Sequence, residues 1–117
     1  MSRGSTAYHN GVAAEDIALR LYEARGGVEL ARRWKTREGE IDLIVRLADV
    51  IIFVEVKARK TLATAAGAIT EKQQLRLMNC ANQYLAKYAD LNTDCRFDLV
   101  MVDRQGVAEI LENILAG

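Results

Sequence analysis

The chain has 117 residues, half of them hydrophobic, with 16 basic and 16 acidic side chains and a formal net charge of zero. That length bounds a single domain with a modest core, and the charge balance excludes the overall basicity of a dedicated nucleic-acid-binding protein. No apolar run approaches the roughly 20 residues that a bilayer span needs and no apolar signal segment opens the chain, so a cytoplasmic protein without a membrane partner is expected.

Residues 1–8 lack periodicity and are expected to be mobile, leaving 9–117 as the domain. From about Asn10 to Ala24 the spacing of Ala14, Ile17, Ala18 and Leu21 predicts an amphipathic helix, with Asn10 as N-cap and Gly26-Gly27 as the stop. Glu15 lies at the border of that apolar stripe. Val28 to Trp34 reads as a strand, and Trp34 either stacks on a base or, the favoured reading, packs against the sheet. A polar turn leads into two further strands, 39–45 and 50–57, joined through Arg46-Leu47-Ala48-Asp49. Ala58 to Ile69 is small, polar and irregular, and is expected to close over a substrate or to order only when substrate is present.

Thr70-Glu71-Lys72-Gln73 fits a capping box opening a helix to about Tyr88, with Leu75, Met78, Leu85 and Tyr88 on its apolar face. Arg96 to Asp103 is a nearly continuous apolar run and predicts a buried strand, in which Asp98 is expected to pair with Arg96 or a backbone N–H. Val107 to Leu111 is a last strand or the start of a short helix. Cys80 and Cys95 have neither metal nor disulfide spacing and read as reduced bystanders. The order α-β-β-β-α-β-β predicts an α/β fold, a mixed central sheet flanked by helices.

Chemistry concentrates in the middle hairpin. Alternation puts Glu40, Asp42 and Ile44 on one face of the first strand, and Phe53, Glu55 and Lys57 on one face of the second. If Val45 pairs with Val50, Asp42 falls opposite Phe53 and diagonal to Glu55, roughly 7–8 Å apart between backbones. Charges in such apolar strands cost several kcal/mol each unless something pairs with them, and a divalent cation is such a partner. Asp42 and Glu55 offer hard oxygens suited to Mg²⁺ or Mn²⁺, the Val56 carbonyl a third, and Lys57 can orient a water or steady charge on a phosphate. E-x-K alone is a weak motif, equally satisfied by a Lys57–Glu55 or Lys57–Glu40 salt bridge; the acid on the preceding strand and the apolar flanks raise the functional reading.

The full pattern comprises Gly11 and Glu15, GEIDLI at 39–44, FVEVK at 53–57 with Arg59, Ala68-Ile69 before Lys72, and Arg96-Phe97-Asp98. It resembles the YraN family of bacterial proteins and, through the acid followed by E-x-K, the PD-(D/E)xK nucleases, which include restriction endonucleases and archaeal Holliday-junction resolvases. The resemblance spans roughly residues 9–103, with Ile41 where the superfamily name has proline. It implies a restriction-endonuclease-like fold and a metal-dependent endonuclease acting on DNA, including branched or junction DNA. The implied metal site is Glu15, Asp42, Glu55 and Lys57, with Glu15 a ligand or a base acting through a metal-bound water, and Gln73 a weaker candidate from the second helix. A homodimer is expected by the same resemblance.

The middle third of the chain is the basic part, with ten basic and seven acidic groups over residues 28–76. Arg37, Arg59, Lys60, Lys72 and Arg76, with Arg32, Arg33 and Lys35, form a candidate phosphate-binding rim. The alternative to catalysis is a non-catalytic nucleic-acid or protein-binding module on the same fold.

Overall fold

Runs of β-branched residues, interrupted by two helical stretches, arrange residues 3–62, 69–90 and 92–115, which a computed structural model describes. Helix α1 (Arg3–Glu23) precedes strands β1 (Val28–Lys35), β2 (Glu40–Leu47) and β3 (Val50–Ala58). Helix α2 (Glu71–Tyr88), β4 (Cys95–Val102) and β5 (Ala108–Leu111) follow, in the expected α-β-β-β-α-β-β order. The five strands form one sheet in the order β1-β2-β3-β4-β5. Its first three strands are antiparallel, β3 and β4 are parallel, and β5 returns antiparallel. Among the described residues no helix is long and apolar enough to cross a membrane.

The two faces of the sheet bury different helices. Leu43, Val45, Ile52, Val54 and Val100 pack with Ala14, Ala18, Leu19 and Tyr22 of α1. Ile41, Ile44, Ile51 and Phe53 pack with Leu77, Cys80, Ala81, Tyr84 and Leu85 of α2. Trp34 joins this second layer edge-on to Tyr84, with ring centroids 5.4 Å apart, as the sheet-packing reading anticipates. Both cysteines are free, Cys80 buried and Cys95 exposed.

Several expectations are corrected. Helix α1 begins at Arg3, so Asn10 is an interior residue and residues 3–8 form its first turns; once a stripe anchors a helix, extending it costs little. The glycine stop holds: Gly26 takes φ +91°, and the Gly27 N–H bonds the Tyr22 carbonyl at 2.8 Å, where a side chain on Gly27 would collide. On α2 the buried stripe is Leu77, Cys80, Ala81, Tyr84 and Leu85, whereas Leu75 (61% exposed), Met78 and Tyr88 face outward. Both stripes satisfy helical spacing, and the one carrying small Cys80 and Ala81 lets the helix approach the sheet closely. Positions 63–68 of the expected substrate loop lie outside the described residues.

The hairpin register differs from the expected one by two residues. Leu47 pairs with Val50, and Ile44 with Phe53, around a tight Ala48-Asp49 turn in which Ala48 takes φ +53°. A shift of two preserves the faces. Carried one residue beyond the Leu43–Val54 pair, this register sets Asp42 directly opposite Glu55 instead of diagonal to it. Strict alternation also fails at this point. Ile41 shares the α2 side with Ile44, and on β1 Ala31 and Trp34 do the same around Arg33, whose φ is +53°.

Candidate active site

The acids gather where the β2–β3 ladder ends. Beyond Leu43–Val54 the Asp42 side chain takes over the ladder's role, Oδ2 accepting the Val56 N–H at 2.8 Å. Lys57 Nζ reaches Glu55 Oε1 at 3.2 Å, both side chains largely buried. The structure therefore brings Asp42, Glu55 and Lys57 together, with Val56 between the two β3 side chains.

Burial raises both members of this pair, and the field of Glu55 adds to the rise at Asp42. Asp42 is pushed up to about 7, first by burial, then by the negative field of Glu55; the Val56 N–H opposes the rise, and Glu15 and Glu40 add to it. Glu55 is also raised, chiefly by burial, but its ion pair with Lys57 and a hydrogen bond with Asp42 pull it back. Neighbouring carboxylates pushed up by burial are an arrangement that a divalent cation relieves.

Glu15 completes the neighbourhood differently from expectation. Helix α1 buries it to 6% exposure, and both of its oxygens accept from Arg33 Nε, at 2.9 and 3.2 Å. The β1–β2 register carries Arg33 opposite Asp42. A guanidinium thus already neutralises the third acid. Among the described residues no group of three or more His, Cys, Asp or Glu side chains gathers as a metal-binding cluster. Asp42 and Glu55 remain as donors, and two carboxylates with water filling the other positions is the set Mg²⁺ ordinarily takes.

The pair opens on a cleft of about 870 Å³. Ala13, Ala14 and Ile17 of α1 form one wall, Asp42, Glu55 and Val56 the floor, and Lys57 to Lys60 with Val102 to Arg104 the other wall. Of the candidate rim, Arg59 and Lys60 line this cleft. Gln73, Lys72, Arg76 and Arg37 do not line it. Gln73 closes its capping box, Oε1 accepting the Thr70 N–H at 3.0 Å while its own N–H bonds Thr70 Oγ1 at 3.1 Å. Lys72 and Arg76 are exposed on α2, which covers the other face of the sheet, and Arg37 is exposed between β1 and β2.

Arg104 lines the cleft and is absent from the expected rim. Its signal is the parallel pairing of β3 with β4, Ala58 beside Val102, which makes the segments after both strands emerge together. Asp98, fully buried, accepts from Tyr22 Oη at 2.8 Å, Arg96 Nε at 3.1 Å and the Asn113 N–H at 3.0 Å, as expected of a structural acid.

Fold and cleft define an α/β protein with a paired-carboxylate site at the diverging end of a hairpin. Residues 14–102 match the family described as "Uncharacterised protein family UPF0102". The chain belongs to the UPF0102 family. It is 41% identical over 114 residues to a UPF0102 protein of Roseobacter denitrificans, covering 97% of this chain and 88% of that one. It is 45% identical over 113 residues to one of Ruegeria pomeroyi, covering 96% and 92%. With a UPF0102 protein of Azorhizobium caulinodans it shares 40% identity over 111 residues, 94% of this chain and 85% of the relative.

Proposed function

We propose that this protein is a metal-dependent phosphodiesterase of the PD-(D/E)xK nuclease type, an endonuclease acting on DNA with a preference for structure, such as branches or junctions, over sequence. The observation that carries the reading is the Asp42–Glu55 pair: two carboxylates opposed across a hairpin, both pushed up by burial and Asp42 further by the field of Glu55, with an amine 3.2 Å from one of them. A fold that needed only stability gains nothing from placing two largely buried acids side by side with one lysine between them.

Asp42 and Glu55 would hold Mg²⁺ or Mn²⁺, with the Val56 carbonyl as a further oxygen. When bound, the cation supplies charge neutralisation at the phosphate and lowers the proton affinity of water. The chain does the rest. Asp42, which lines the cleft, is fixed there by the Val56 N–H. Lys57, held by Glu55, orients a water toward the phosphorus and offers positive charge to the phosphate oxygens as the bond to the leaving oxygen lengthens. Arg59 and Lys60 hold the neighbouring phosphates. Glu15, paired with Arg33, positions the α1 wall and adds negative potential at Asp42. Pairing of two copies belongs to the same proposal, since a chain this small grips little duplex alone.

The test is cleavage of branched, nicked and linear DNAs in Mn²⁺ by the wild type and by Glu55→Ala. Cleavage by the wild type that Glu55→Ala loses supports the reading. Equal activity in both, or none in either, overturns it. One observation favours a second reading, a non-catalytic binding module: the third acid is already neutralised by Arg33. On that reading the wild type binds polynucleotide and leaves every substrate intact.

A further inference from the structure

The cleft carries its positive charge in one place. Arg59 and Lys60 follow β3, and Arg104 follows β4, its parallel neighbour. Backbone bonds lash the two segments together, the Arg59 N–H to the Val102 carbonyl at 3.0 Å and the Arg104 N–H to the Lys60 carbonyl at 3.5 Å. The turn that presents Arg104 is internally braced, Asp103 Oδ1 accepting the N–H groups of both Gln105 and Val107 at 2.9 Å. Three exposed cations are thus mounted on one stiff edge, beside the carboxylate pair and along a single cleft.

The rest of the lining says what those cations meet. Among the described residues no aromatic side chain lines the cleft, and the α1 wall is Ala13, Ala14 and Ile17. Fixed positive charge on one edge is what duplex phosphates need, whereas a single strand is held largely by stacking of its bases. We infer that Arg104, with Arg59 and Lys60, is a phosphate track that seats the backbone of duplex DNA beside the Asp42–Glu55 pair and reads no bases. This rests on the nuclease reading for its substrate class and adds to it the residue, the strand state and the mode of recognition.

The test is fluorescence anisotropy of the full chain with labelled A·T-only and G·C-only duplexes and a single strand, across a NaCl series in Ca²⁺, a hard cation that takes oxygen ligands. Wild type is expected to bind both duplexes equally and more tightly than the single strand. Arg104→Ala should weaken duplex binding about fivefold and lower the magnitude of the log–log salt slope by about 0.9, the share of one phosphate. Arg104→Glu should weaken it further and Arg104→Lys restore most of it, whereas Arg46→Ala, exposed on β2 toward the hairpin turn, should bind as wild type. Unchanged melting temperatures identify these as binding effects. Wild-type binding that Arg104→Ala and Arg104→Glu leave intact, or tighter binding of the single strand, overturns the track while the nuclease reading stands. Wild type that binds no polynucleotide overturns both.

Discussion

Two places in this sheet bury acid, and the fold treats them in opposite ways. Asp98 on β4 is enclosed by three donors, the Tyr22 hydroxyl on α1, the Arg96 guanidinium two residues away and the Asn113 backbone N–H, and Arg96 also pairs with Glu112, which Arg25 holds in turn. Asp42 and Glu55 share one backbone N–H and one lysine between two carboxylates, and both are pushed upward. Burial alone therefore does not mark a site. A buried acid whose neighbours leave it short of positive charge is instead a candidate for function, because a proton or a cation can complete it.

The comparison breaks most visibly at Asp98. Asp98→Ala strands a hydroxyl, a guanidinium and an N–H, and should cost about 3–5 kcal/mol in urea unfolding while leaving any cation response of the residual folded protein intact. At the other acid the sign reverses. Asp42→Asn removes the repulsion and should stabilise the protein by about 1–3 kcal/mol at pH 8 while abolishing cleavage.

The pH dependence follows from the same pair. Between the ordinary Asp range and about 7 the native state holds a proton that the unfolded chain has released, so stability falls as pH rises through that window. Asp42→Asn should flatten this slope in denaturation midpoints taken from pH 4 to 8. A slope equally steep in wild type and Asp42→Asn would assign it elsewhere. Divalent cation competes with that proton, so its stabilising effect should grow over the same range. The smallest effect belongs to the capping box: Gln73→Ala should cost about 0.5–1 kcal/mol and leave cleavage rates unchanged, whereas lost cleavage in a folded Gln73→Ala would return Gln73 to the site.

Much of this was legible in the chain. Alternation and caps gave the element order, and the Thr70–Gln73 box, Asp98 with Arg96, and Trp34 against the sheet all stand as read. The site was legible as far as one hairpin carries it, since Asp42, Glu55 and Lys57 lie on neighbouring strands. What escaped depends on backbone irregularity or distant segments. A two-residue turn at Ala48-Asp49 slides the register, and the positive φ of Arg33 accompanies a break in alternation that no hydrophobic pattern signals. Arg33 reaching Glu15, and Arg104 reaching the cleft, depend on which helix and which strand lie beside the hairpin. On α2, two stripes fit one helical period, and only the closeness of helix to sheet chooses between them.

The most direct measurement is the melting temperature in a Mg²⁺ or Mn²⁺ titration at pH 8 for the wild type, Asp42→Ala and Glu55→Ala. Because a ligand that binds only the folded state stabilises it by about 2.7 kcal/mol at a hundred times its dissociation constant, the wild type should climb by several degrees and both variants should stay flat. A flat wild-type curve, or an equal rise in all three proteins, would contradict a cation held by Asp42 and Glu55.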